Sequence, residues 1–263
     1  MNLSLKQKLI GASLLAVVLM ASALTWLSAD QLKQQTQNGV YARAESLATT
    51  ASSGIKDWIN IRKDIASAFN DYSNEVDVVP YLQQARKAGG FDDIFLGTPE
   101  GGMYRSHPER NRADYDPRVR PWYIDANNAG RQIITTAYKD AITNALLVTI
   151  AEPIRRNGQF VGVVGADVLI DQLINDVINL DAGKNAYAML IDTQNGTFLA
   201  HPDKSLSLKP VTTLSKEFTL RAIEEAANAG SIKLIERNGQ EQLYFFTKVP
   251  DAQWNIANEM DRA

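Results

Sequence analysis

The sequence predicts an α+β fold, with one long N-terminal helix followed by two copies of a hairpin-rich module built on antiparallel sheets. Three observations predict it. An apolar N-terminal run passes without a break into an amphipathic stretch with few strand signals. Beyond it, strand-like segments come in pairs joined by Gly-containing turns. Turn and hairpin-end residues also recur in the same order. Thr98 and Gly101 are matched by Thr193 and Gly196, and His107-Pro108 by His201-Pro202. Arg-Asn-Gly-Gln stands at 156–159 and again at 237–240.

Composition narrows the function classes. The chain has 263 residues, enough for one or two domains, and its 45% hydrophobic and 22% charged residues are those of a folded protein. Lys plus Arg is 27 against 30 Asp plus Glu, a net charge of -3 that lacks the basic surplus of a nucleic-acid binder. With no cysteine, disulfides, thiolate metal sites and cysteine nucleophiles are excluded; two histidines exclude a His-rich zinc site. No Gly-rich phosphate loop, metal-ligand cluster or nucleophile–base pair occurs, so neither a cofactor, a metal nor an enzyme is expected.

The elements follow in order. From Leu9 to Ala29 no residue is charged, which suits a membrane-spanning helix over 9–29. Lys6 and Lys8 place residues 1–8 in the cytoplasm, and Trp26 lies where an interfacial aromatic would sit. Ala21-Ser22-Ala23 also resembles a signal-peptide cleavage site, but the apolar run continues past it through Leu24, Trp26 and Leu27. Both readings export the rest of the chain. Residues 30–73 continue as a helix, with Leu47, Ala51, Ile55, Trp58, Ile59, Arg62, Ile65, Ala66 and Phe69 on one face. A shorter helix opens at Pro80 and stops at Gly89-Gly90. The first module, 74–182, pairs FDDIFLG with MYRSH, and ALLVTIAEPI with QFVGVVGADVLI across Asn157-Gly158, before a helix DQLINDVINL. The second, 183–260, repeats the pattern from AYAMLIDT and TFLAHP.

The copies differ between their hairpins. The second carries a bland stretch, whereas the first carries Asp114-Tyr115-Asp116-Pro117-Arg118-Val119-Arg120-Pro121-Trp122-Tyr123. Its prolines are expected to hold the backbone extended on either side of Arg120, as a stiff loop lining a pocket. Arg offers a planar fork of donors to a carboxylate, and Trp and Tyr give flat walls with polar tips. Asp167 interrupts an apolar strand and would receive an ammonium, since an unpaired buried charge is costly. Plainer readings stand beside these. Arg120 could pair with Asp114 or Asp116, and Asp167 could cap a helix at Ile170. The His-Pro pairs read as hairpin ends and Asp92-Asp93 as a solvated strand start.

Taken together, the anchor, the long helix and the duplicated module resemble the periplasmic double-Cache (dCache) sensor domain of bacterial methyl-accepting chemotaxis receptors. Tyr115, Arg120, Trp122, Tyr123 and Asp167 resemble, in type and spacing, the signature of its amino-acid-sensing subfamily. The resemblance implies two tandem PAS-like (Cache) modules, one membrane-distal and ligand-binding, the other membrane-proximal and without ligand. It implies that Arg120 and Trp122 hold the carboxylate of an L-amino acid, with Tyr123 supporting that end. Tyr115 and Asp167 would hold the ammonium, Asp140 would be a further acidic residue at the amine, and Tyr138 would join the same pocket. It also implies a homodimer in the bacterial inner membrane with the sensor in the periplasm. A second membrane helix, a HAMP segment and a signalling domain would follow Ala263 in a full receptor. A histidine kinase or diguanylate cyclase output, or an amine or carboxylate ligand, is the alternative.

Overall fold

The structure, a computed structural model, describes residues 5–71, 77–170, 186–230, 232–237, 240–250 and 252–261. The chain divides into two compact units, Met1–Ser46 and Leu47–Ala263. The helix α1 runs from Leu5 to Ser67. Within the first unit its large apolar side chains, among them Leu14, Val17, Met20, Leu24 and Trp26, are exposed. This helix is long and apolar enough to cross a membrane. Ser13, Ser22 and Thr25 each donate their hydroxyl to the carbonyl four residues earlier, which satisfies these groups without water.

In the second unit, α1 buries Ala51, Ile55, Ile59, Arg62 and Ala66 of the stripe that the helical period predicts, and also Ala48, which the period does not single out. The α-helix stops at Ser67 and tightens into a 3₁₀ turn, Ala68–Asp71, short of the expected end at 73. Next comes α2, Val79–Gly89, with a proline in its first turn and Gly90 closing it at φ 62°. Positive φ is nearly free of steric cost only for glycine, so the helix ends there.

The first sheet contains β1 (Asp93–Gly97), β2 (Met103–Arg105), β3 (Ile133–Ile134), β4 (Tyr138–Lys139), β5 (Leu146–Arg156) and β6 (Gln159–Leu169). The helix α3, Pro121–Ala129, lies between β2 and β3 in the chain. The second sheet contains β7 (Ala186–Asp192), β8 (Thr197–Ala200), β9 (Ile232–Arg237), β10 (Gln240–Val249) and β11 (Trp254–Asp261), with α4, Leu220–Ala229, before β9. Strand order is β2-β1-β6-β5-β3 in one, with β4 also on β5, and β8-β7-β11-β10-β9 in the other, all antiparallel. The two orders match strand for strand, and Thr98 with Gly101 and Thr193 with Gly196 fall at equivalent turns, after β1 and after β7. The Arg-Asn-Gly-Gln pair does not mark the repeat, because 156–159 joins β5 to β6 whereas 237–240 lies between β9 and β10. Asn157 at φ 50° and Gly158 at φ 81° form the two-residue turn between β5 and β6. The expected helix at 171–180 and the turn at 238–239 lie outside the described residues.

One core joins the sheets. Ala51, Ile55 and Ile59 of α1 pack with Ile94, Ile150 and Val164 of the first sheet and with Leu190, Leu199, Trp254 and Ile256 of the second. The opposite face of each sheet has its own cluster. Phe95, Trp122, Tyr123, Ala126, Ala151 and Val163 form the one under α3. Phe198, Phe218, Ile223, Tyr244 and Phe246 form the one under α4.

Candidate functional site

Strand register places the candidate residues of the strands on the α3 face of the first sheet. Residues two apart on a strand share a face, so register converts sequence into a map. One row across the sheet reads Arg105, Phe95, Gly165, Ala151. The next reads Asp93, Asp167, Thr149. Two acidic side chains therefore stand side by side in the middle of an apolar sheet.

Asp167 is 3% exposed. Among the described residues it caps no helix; its Oδ1 accepts the Thr149 hydroxyl at 2.6 Å, and its second oxygen has no donor among them. The Tyr138 hydroxyl lies 2.6 Å from Thr149 Oγ1. Thr149 spends its only proton on Asp167, so Tyr138 donates in this chain. Burial pushes the Asp167 carboxyl well above the usual carboxylate range, and the charges of Asp140 and Asp93 push the same way. Burial likewise drives the Tyr138 phenol strongly upward, helped by the negative charge of Asp167.

Asp140, at the end of β4, is half-buried. Burial works against its ionised form, but hydrogen bonds win and hold its carboxyl below the usual range. Oδ1 accepts the amides of Ile142 and Thr143, at 3.0 and 2.6 Å, and the Thr143 hydroxyl at 2.9 Å. Its other oxygen has no donor among the described residues.

The tryptophan–tyrosine segment departs from expectation. Asp116 and Arg120 are extended, as a residue before proline must be, but each proline then opens a helix. Pro117 starts a 3₁₀ turn and Pro121 starts α3, so Trp122 and Tyr123 occupy a helical first turn and not a loop. Both are buried core residues, Trp122 at 1% exposure. The indole packs on Phe95 with ring centres 4.8 Å apart and covers Gly97, where a Cβ would lie 2.8 Å from it. The Trp122 Nε1 donates a long hydrogen bond of 3.5 Å to the Tyr115 hydroxyl. Tyr123 packs edge-on against Trp122 and Phe160.

Arg120 pairs with neither nearby carboxylate. Asp114 takes Arg112 and Asp116 takes Arg118, both at the surface. The Arg120 guanidinium lies 5.6 Å from the Tyr115 ring centre, and its buried Nε has no acceptor among the described residues. The structure thus gathers Arg120, Tyr115, Trp122 and Tyr123 through direct contacts, and Tyr138 with Asp167 through Thr149. Asp140 joins them through its charge.

Sequence reading missed three residues here. Asp93 is buried, not solvated, and accepts Arg105 Nη1 at 2.9 Å and the Ser106 hydroxyl at 2.5 Å; only Asp92 lies toward the surface, paired with Arg110. Arg105 stacks between the rings of Phe95 and Tyr115, at 5.0 and 4.8 Å. Thr149 showed only as one hydroxyl in an apolar strand. The two His-Pro pairs end hairpins: His107 sits beside Glu109, and His201 accepts the Asp203 amide.

Residues 28–263 match the Cache domain family, dCache_1. The chain belongs to the Cache domain family. The methyl-accepting chemotaxis protein McpA of Pseudomonas putida is 32% identical over 273 residues, an alignment that takes in 100% of this chain and 41% of that protein. The chain therefore spans about two fifths of the length of that relative. Among solved structures, the ligand-binding domain of the Pseudomonas fluorescens chemoreceptor CtaA with L-isoleucine superposes with a TM-score of 0.73 at 26% identity, over 86% of this chain and 94% of that one. The ligand-binding domain of the Pseudomonas aeruginosa amino acid chemoreceptor PctB with L-Gln gives 0.67 at 27%, over 82% and 89%.

The two Cache sheets differ at equivalent places. Glu259 on β11 faces Tyr244 on β10 and Tyr187 on β7, the register that Asp167 has with Thr149 and Asp93. Glu259 accepts both tyrosine hydroxyls, and Phe218 is packed against Tyr244, Phe246 and Phe198 above it. Where the first sheet keeps an unspent carboxylate oxygen, the second has a filled aromatic core.

Proposed function

We propose that the chain is the sensor region of a membrane chemoreceptor and binds free L-amino acids on the α3 face of its first sheet. The observation that carries this reading is a pair of unspent opposite charges, the Arg120 guanidinium and the Asp167 carboxylate, in one aromatic-walled site. A buried ion left without a partner is costly, and a zwitterion supplies both partners at once. The ligand carboxylate takes Arg120 and the Trp122 Nε1, which gives up its long bond to Tyr115. Tyr123 fixes the indole from behind. The ammonium takes the free oxygen of Asp167 and the Tyr115 hydroxyl, with Asp140 adding negative charge. Tyr138 holds Thr149, and through it Asp167. A plain amine would leave Arg120 unpaired and a plain acid would leave Asp167 unpaired. The site binds and releases; it performs no chemistry.

CtaA and PctB, which superpose on this chain, hold L-isoleucine and L-Gln, and the names of the relatives support a chemotaxis output. We take residues 9–29 as a membrane anchor, 74–182 as the membrane-distal module and 183–260 as the proximal one, with both modules in the periplasm. The exposed side of α1, with Thr50, Asp57 and Ile61, is open for pairing in a homodimer. Occupancy biases the distal module toward one of two states, and α1 carries that bias to the membrane. A thermal-shift screen of the full chain in detergent tests the reading. Several L-amino acids raise the melting temperature, and Arg120→Ala abolishes the shift. No response from the folded chain to any amino acid overturns it.

A further inference from the structure

We infer that Arg105 reads the ligand side chain, and that the class it admits is amino acids ending in a neutral oxygen acceptor, the carboxamides of glutamine and asparagine. This rests on the amino-acid reading of the site and makes it more specific.

Arg105 is 2% exposed and sits in the row beside Asp93 and Asp167, outside the sequence signature. It is as central as Arg120: the Tyr115 ring lies 4.8 Å from one guanidinium and 5.6 Å from the other. Its positive charge reaches both Asp140 and Asp167. Among the described residues only Nη1 of its donors is used, on Asp93; Nε is buried without an acceptor and Nη2 makes no hydrogen bond to them. Clamped between two rings, the guanidinium cannot swing to another acceptor, and with Nε enclosed it is Nη2 that is left to take an oxygen entering the site.

Charge decides which oxygen. Asp93 already neutralises Arg105, Asp167 is spent on the ligand ammonium, and Asp140 adds a further carboxylate within reach of the Arg105 charge. The donors are free but no positive charge is spare, so a second carboxylate on the ligand would meet net repulsion. A carbonyl oxygen takes the same donors without that cost. Aliphatic side chains leave the donors empty.

Isothermal titration of the full chain in detergent with L-glutamine, L-asparagine, L-glutamate, L-alanine and L-leucine tests this. The carboxamides bind roughly ten- to a hundredfold more tightly than alanine, the value of one hydrogen bond to a charged group. In Arg105→Met the glutamine-to-alanine ratio falls toward one, whatever common factor both affinities lose. Where that variant fails to fold because Asp93 is left alone, Asp93→Asn with Arg105→Met removes both charges and the same ratio is read. A purely structural Arg105 changes both affinities together, so an unchanged ratio overturns the inference. Equal wild-type binding of all five ligands, or tighter binding of glutamate, also overturns it while leaving the amino-acid site standing. Absence of binding by every ligand overturns both.

Discussion

Replacing Asp167 by asparagine should make the empty protein more stable and the ligand-binding protein useless. The carboxylate is 3% exposed with one hydrogen bond, from Thr149. Burial raises its pKa in the folded state, so folding binds a proton that the unfolded carboxylate, with a pKa of about 4, has already lost. Stability therefore falls as pH rises from about 4 to the raised folded value, by about 1.4 kcal/mol for each pH unit between them, and stays low above it. Asp167→Asn keeps an acceptor for Thr149 and cannot ionise, so it escapes this penalty at neutral pH. Its effect on binding has the opposite sign. The ligand ammonium loses its buried counter-charge, which costs about 3–5 kcal/mol, a hundredfold or more in affinity. Thermal unfolding of wild type and variant at pH 7, with and without an amino acid that stabilises the wild type, reads both effects. The melting temperature rises without ligand and the ligand-induced shift disappears. A variant less stable than wild type without ligand, or one that keeps the ligand shift, refutes the reasoning.

Three further predictions follow from the same geometry. Because the ammonium needs the ionised form of a carboxyl that burial holds high, amino-acid affinity rises as pH rises toward that raised value and binding releases a proton; titrations in buffers of different ionisation heat measure it, and proton uptake would contradict it. Gly97→Ala puts a Cβ 2.7 Å from the Pro117 Cβ and 2.8 Å from the Trp122 ring, so the indole shifts and stability falls by about 1–3 kcal/mol in denaturant unfolding; an unchanged midpoint would mean that Trp122 is not held there. Glu152 of β5 accepts the Ser67 hydroxyl and the Asn70 amide, tying the end of α1 to the strand that carries Thr149; Glu152→Ala lowers unfolding stability by about 1–3 kcal/mol, and no change would remove this link from the relay.

Much of the fold was legible because its signals are local. The spacing of Ala51, Ile55 and Ile59, the stop at Gly90 and the Asn157-Gly158 turn each depend on neighbours in the chain. The repeat of Thr98 and Gly101 at Thr193 and Gly196 exposed the duplicated topology before any strand was placed. The proline segment was misread because proline has two local meanings. It forbids helix before itself and favours helix after itself, and the extended Asp116 and Arg120 obey the first while the turns at Pro117 and Pro121 obey the second. Arg105, Asp93 and Thr149 were out of reach for a different reason. Their partners come from different strands, and only register puts a β2 arginine, a β1 aspartate and a β5 threonine around Asp167. The same register shows what the second Cache sheet does with its own buried carboxylate: Glu259 is already spent on Tyr187 and Tyr244.

The most direct measurement compares a zwitterion with its two halves. L-Alanine, propionate and ethylamine are titrated into the full chain at equal concentrations, and bound heat is recorded. A site built from Arg120 and Asp167 together binds alanine and neither half. Binding of propionate or ethylamine as tight as that of alanine would mean that only one of the two charges meets the ligand, and the zwitterion site would be wrong.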